Sequence, residues 1–254
     1  MLIQSFVIAF AMYSSLPMPR VEWSRENMQY AMCFFPFIGV VIGAGIELWR
    51  FACSLLGLSQ ILFALGAVLL PVLVTGGIHL DGFCDTVDAL SSHQTREKKL
   101  KILKDPHTGA FAIIGLCCLF LILFALWQEL DSNWSTLSVL GIGFVLSRCL
   151  SGFAVAAFPL AKDTGLVHTF ASMSAKKRVR LWLAVFAVLC TTGMIVVSPL
   201  EGGICAGASL LCFGWYYWMA KRQFGGITGD LAGYFLQICE CSQLLAVLFV
   251  QKLF

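Results

Sequence analysis

Long unbroken apolar runs constrain this chain more than anything else in it. Runs near the length of about 20 residues that crosses a bilayer as a helix fall at Ala31–Cys53, Ser59–Thr75, Gly109–Gln128, Trp134–Phe158, Val179–Ser198, Gly202–Ala220 and Leu231–Val250. Only 12% of the residues are charged and 59% are hydrophobic, whereas soluble domains are about a quarter charged. Too little polar sequence remains to cover a soluble core. The expected fold is all-α, a polytopic membrane bundle of about seven transmembrane helices. A short or re-entrant N-terminal helix, Leu2 to Tyr13, precedes them and is stopped by Leu16-Pro17-Met18-Pro19. That first run lacks the basic flank and small-residue cleavage site of a signal peptide.

Basic residues alternate from one connection to the next. Arg20 and Arg25 precede the first long span. Gly76–Thr108 carries Arg96, Lys98, Lys99, Lys101 and Lys104, and Leu160–Arg180 carries Lys162, Lys176, Lys177, Arg178 and Arg180. Lys221 and Arg222 mark the last polar loop, while the turns at Leu55–Leu58, Glu129–Asp131 and Pro199–Glu201 hold no Lys or Arg. Cationic side chains resist translocation. The loops around 76–108, 159–180 and 221–230 are therefore expected on the cytoplasmic face of a prokaryotic plasma membrane, as parts of one catalytic domain over 1–254. The external turns are too short to hold a site. The net charge is only +3, and no nucleic-acid partner is expected beside the lipid bilayer. Most of the eleven cysteines lie within apolar runs without a CxxC pair, so they read as small apolar filler.

The stretch from Gly76 to Leu90, GGIHLDGFCDTVDAL, breaks this pattern. Asp81, Asp85 and Asp88 stand at i, i+4 and i+7, which puts three carboxylates on one helix face. Neighbouring positions offer no basic partner, and near a low-dielectric membrane the mutual repulsion grows. A divalent cation with oxygen ligands, Mg²⁺ or Mn²⁺, removes that cost. Gly76, Gly77 and Gly82 allow close backbone approach to a ligand. Cys84 is a poor ligand for so hard a cation. His79 reads equally as a general base and as a hydrogen-bonded structural residue. A D-G-x5-D pattern with Mg²⁺ at a membrane surface suggests phosphoryl transfer from an activated diphosphate. It is loosely like the CDP-alcohol phosphotransferases, but the Ala-Arg after their first D-G and their GxxxDxxxD ending are absent.

A closer likeness covers nearly the whole chain in order. Leu16-Pro17-Met18-Pro19, Phe35-Pro36-Phe37-Ile38-Gly39, Gly76-Gly77-Ile78-His79-Leu80-Asp81-Gly82, Asp85-Thr86-Val87-Asp88 and Gly225-Gly226-Ile227-Thr228-Gly229-Asp230 resemble the cobalamin synthases, or adenosylcobinamide-GDP ribazoletransferases. The resemblance implies a membrane enzyme that joins adenosylcobinamide-GDP to α-ribazole, or to its 5′-phosphate, and releases GMP with Mg²⁺ required. It implies Asp81, Asp85 and Asp88 as metal and catalytic residues. Association into a homo-oligomer or with other cobalamin-assembly enzymes is compatible with it. The chain departs from the family pattern at Ala89, where Gly is common, at Gln237, where the first of two glutamates usually stands before Glu240, and at Lys104, where Arg is usual.

Other polar residues have two readings each. Asp105 either caps the turn before Pro106 or joins the site, and Lys101 and Lys104 either pack at the membrane interface or reach phosphates. Arg148 lies deep within an apolar run, where arginine is costly and either paired or functional. Glu47 and Glu240 are candidate partners, and lining a substrate cavity for phosphate is the other reading. Asp230 suits a helix N-terminus electrostatically, and Gly225, Gly226 and Gly229 beside Thr228 would present N–H groups to a phosphate. Lys162, with Asp163 and Gly165, occupies a loop where the family shows polar substrate-facing residues. A transporter, the remaining class, would want charges lining several spans near the midplane.

Overall fold

The computed structural model describes residues 1–161 and 174–254, and among these it holds twelve helices and no strand. The central one is α9 (Trp134–Ala157). Of its apolar stretch 83% is buried, against 22% for α8 (Ala110–Glu129) and α10 (Lys176–Val197). Helices α4 (Pro36–Leu56), α10, α11 (Pro199–Gln223) and α12 (Gly229–Leu253) pack around it.

Without a hydrophobic force between helices in lipid, close backbone approach supplies the packing. The Gly39-Val40-Val41-Ile42-Gly43 stretch of α4 provides it. A Cβ on Gly39 would stand 2.5 Å from the Phe144 carbonyl oxygen, and one on Gly43 would stand 2.8 Å from the Gly141 Cα. Gly202 lies equally close to the Met194 carbonyl and closes the α10–α11 hairpin.

The expected membrane bundle is found, with changes in its count. Helices α4, α8, α9, α10 and α12 are long and apolar enough to cross a membrane singly. A sixth span requires α5 (Gln60–Thr75) and α6 (Ile78–Ser91) to be taken together, although they are bent by 96°. The expected span at Gly202–Ala220 is helical within α11, which does not meet the same test of apolar character. The run expected from Ala31 is split: α3 (Ala31–Phe34) ends at Phe35, and α4 starts at Pro36, whose ring suits a first helical turn. The N-terminal helix α1 (Leu2–Tyr13) has 12 residues. At 1.5 Å per residue it reaches only about 18 Å. It packs on α2 (Arg25–Met28) and α3.

The bend between α5 and α6 rests on two consecutive glycines. Gly76 and Gly77 have φ of 64° and 79°, a left-handed conformation that side chains with a Cβ rarely adopt. Beyond α6, the basic stretch forms α7 (Arg96–Ile102), where the buried Lys99 donates to Gln223 Oε1 at 2.6 Å. Lys162 lies outside the described residues.

Gly43→Leu is expected to push α4 off α9 and to destabilise the fold by about 1–3 kcal/mol or more, while Gly214→Ala, with open space at its Cα, should be silent. Thermal unfolding of the two variants in detergent checks this, and an unchanged midpoint for Gly43→Leu would contradict the packing described.

Candidate active site

Helix α6 lies between α12 and α8. Its contact with α12 is backbone on backbone: a Cβ on Gly82 would meet the Asp230 carbonyl oxygen at 2.6 Å, and one on Gly233 would meet that of His79 at 2.9 Å. This brings Asp230 to the aspartate face of α6. Asp85 feels the charges of Asp81, Asp230 and Asp88 together. Asp81 is exposed and Asp85 half-buried, and neither has a hydrogen-bond or ion-pair partner among the described residues.

Asp88 is different. Its Oδ2 accepts from Gly109 N–H at 2.6 Å and its Oδ1 from Ala112 N–H at 2.8 Å. It therefore caps the start of α8, where the first N–H groups lack helical partners. The sequence offered no structural partner for the third aspartate, and the fold supplies one 21 to 24 residues away. Among the described residues no group of three or more His, Cys, Asp or Glu is placed to hold a metal ion unaided. What the fold does assemble is two unpaired carboxylates, Asp81 and Asp85, with Asp230 beside them.

His79 is buried, and its Nε2 has no hydrogen-bond partner among the described residues. Its ring stacks on Tyr13, with centroids 6.3 Å apart, and meets the edge of Phe35 at 5.8 Å. It lines two cavities. One, of about 240 Å³, opens beside Asp81, Gly82, Gly229 and Asp230, and its lining also includes Met12, Tyr13, Met32 and Phe35. The other, of about 30 Å³, holds Arg148, Gln237 and Glu240. The aromatic and methionine wall had no signal in the sequence beyond the Phe35-Pro36 motif.

Arg148 is 1% exposed and paired with Glu240 through Nη1 and Oε1 at 2.6 Å. Ser147 Oγ also donates to Glu240, and Arg148 donates to the Phe144 carbonyl. Of the two candidate partners it is thus Glu240 that the fold selects, while Glu47 accepts from Ser138 Oγ at 3.0 Å.

At the polar end of the bundle, Ala161 N–H donates to the Ile227 carbonyl and Ile227 N–H to that of Pro159, which joins two of the expected site loops. Gly226 sits where a Cβ would strike the Pro159 carbonyl. Its own N–H donates to Ala220, and that of Gly225 to Lys221. The expectation that these two glycines present N–H groups to a phosphate is therefore corrected: the chain reversal after α11 uses both. Gly229, in contrast, is exposed at the first turn of α12, and Thr228 caps that helix by accepting from Leu231 N–H and donates to Asp230 Oδ2 at 3.2 Å.

Lys104 and Asp105 are exposed. Asp105 takes the capping role, accepting from His107 N–H at 3.0 Å and facing His107 Nδ1 at 2.8 Å. Those His107 hydrogen bonds hold its carboxyl below the usual carboxylate range.

Residues 5–248 match the family model described as Cobalamin-5-phosphate synthase. A protein of Lachnoclostridium phytofermentans named adenosylcobinamide-GDP ribazoletransferase is 45% identical over 98% of this chain and 95% of its own length. Relatives with the same name from Clostridium perfringens, over 94% of both chains, and Pseudomonas savastanoi, over 95% of this chain and 98% of its own, are each 31% identical. No solved structure matches at a significant level.

The three α6 aspartates should separate in stability measured without added metal. Asp88→Asn removes charge-assisted bonds to α8 and is expected to cost about 1–3 kcal/mol. Asp81→Asn and Asp85→Asn remove like-charge repulsion and should leave stability unchanged or raise it. Arg148→Met, which strands Glu240, is expected to cost about 3–5 kcal/mol, and much of this should return in an Arg148→Met/Glu240→Met double variant. Thermal unfolding in detergent reads all five variants.

Proposed function

The chain belongs to the cobalamin-5-phosphate synthase family and is a transferase of cobalamin biosynthesis, and we propose that its site lies where α6, the start of α12 and the Pro159–Ala161 segment meet. The substrates are adenosylcobinamide-GDP and α-ribazole or its 5′-phosphate. The observation that carries the placement is the convergence of Asp81, Asp85 and Asp230 beside the 240 Å³ cavity.

In this reading a ribazole hydroxyl, taken as the 3′, attacks the phosphorus nearest the cobinamide. The new P–O bond forms as the bond to the GMP oxygen breaks, and GMP leaves with that electron pair. The hydroxyl proton passes to a carboxylate oxygen of the cavity wall, where Asp81 and Asp230 stand. Asp81 and Asp85 fit a Mg²⁺ ion, because this cation is usually held by one or two carboxylates together with substrate phosphates. When bound, it would spread the charge that builds on the diphosphate oxygens. Asp88 contributes chiefly by holding α8 against α6. The alternating basic loops support a cytoplasmic orientation for this face.

Purified protein in lipid nanodiscs is expected to release GMP and form the cobalamin product from adenosylcobinamide-GDP and α-ribazole only with Mg²⁺. Asp81→Asn and Asp85→Asn should each lower kcat by at least a hundredfold while unfolding at or above the wild-type temperature. Activity that survives either substitution would remove these carboxylates from the reaction.

A further inference from the structure

The lining of the 240 Å³ cavity has two unlike parts, besides Ser151 and Val155 of α9. One is formed by the carboxylates and glycines of α6 and α12, where a diphosphate and its cation are proposed to lie. The other is soft and aromatic: Tyr13 and Phe35 stand 4.6 Å apart between ring centroids, both contact the His79 ring, and Met12 and Met32 complete the surface. Tyr13 O–H points to the Met32 sulfur at 3.7 Å. His79, 5% exposed, stands behind these rings, and its buried Nε2 has no hydrogen-bond partner among the described residues.

Resting on the proposed function, we infer that this aromatic wall is the subsite for the base of the ribazole acceptor. Ribazole is a flat bicyclic benzimidazole carried on a ribose. Once one ring nitrogen bears the sugar, the other is the base's single hydrogen-bond acceptor, so the base brings little polarity to this wall. Ring faces and methionine sulfur take the remaining apolar surface. The ribose then projects toward Asp81 and Asp230, where its hydroxyl meets the phosphorus.

Size and polarity exclude the other groups that enter the reaction. A corrin macrocycle does not fit about 240 Å³. Guanine and adenine carry several donors and acceptors on their edges, which a wall of Met, Phe and Tyr would leave unpaired at a cost of about 1–3 kcal/mol each. The assignment also accounts for α1. Too short to span a bilayer, this helix delivers Met12 and Tyr13 to the pocket from its C-terminal end.

The test is steady-state kinetics of the full-length protein in nanodiscs with both substrates varied. Tyr13→Leu and Met32→Ala are each expected to raise the KM for α-ribazole at least tenfold. The KM for adenosylcobinamide-GDP should change less than twofold, and Tyr13→Phe should restore the acceptor KM to near wild type. Met12→Ala, which enlarges the pocket, should improve kcat/KM for a bulkier base riboside relative to α-ribazole. Equal rises in both KM values, or an unchanged acceptor KM in correctly folded Tyr13→Leu and Met32→Ala, would overturn the subsite and leave the proposed function standing. A wild-type protein that makes no product from α-ribazole would instead overturn the proposed function, and the subsite with it.

Discussion

The left-handed corner at Gly76 and Gly77 is the constraint on which the site depends. A straight continuation of α5 would carry the aspartates onward along the same apolar helix. The turn of 96° instead lays α6 between α8 and α12. From that one change follow the Gly82–Asp230 contact, the cap that Asp88 places on α8, and the position of His79 against Tyr13 and Phe35. Two residues free of a Cβ thus convert an apolar span into the frame of a polar site.

Polar groups within the bundle show a division that supports this view. Away from the proposed site several are matched inside the protein, as a bilayer demands. Arg148 has Glu240, Glu47 has Ser138, Gln243 has Ser209, and Glu201 is held by Thr136 and Gln251. At the α6–α12 junction Asp81 and Asp85 have no partner among the described residues. Like charges left together beside a cavity, in a fold that pairs its buried Glu240, suit a cationic ligand with a phosphate substrate.

Much of the fold was legible in the sequence, because hydropathy along a chain reports directly on burial in lipid. The apolar runs became helices, and the D-x3-D-x2-D spacing did fall on one helix, α6. The misses share a physical cause: each depends on a partner distant in sequence or on a backbone angle. Nothing local to Asp88 announces Gly109 and Ala112. Gly225 and Gly226 looked like phosphate donors until Ala220, Lys221 and the Pro159 segment were seen to occupy them. Arg148 was legible as a charge either paired or lining a substrate cavity, and seeing its pair with Glu240 rather than Glu47 required the packing of α9 on α12. The likeness of the Gly225–Asp230 motif to its family already pointed to Asp230, whereas the aromatic wall, drawn from α1, α3 and the step to α4, had such a pointer at Phe35 alone.

The central claim is that α6 presents two carboxylates to a cation shared with the substrate diphosphate. Pulsed electron–nuclear double resonance with Mn²⁺ in place of Mg²⁺ addresses it without reliance on turnover. The account predicts strong phosphorus-31 coupling from adenosylcobinamide-GDP to protein-bound Mn²⁺, with ion binding weakened at least tenfold in both Asp81→Asn and Asp85→Asn. Mn²⁺ held without phosphorus coupling, or held equally well by both variants, would contradict it.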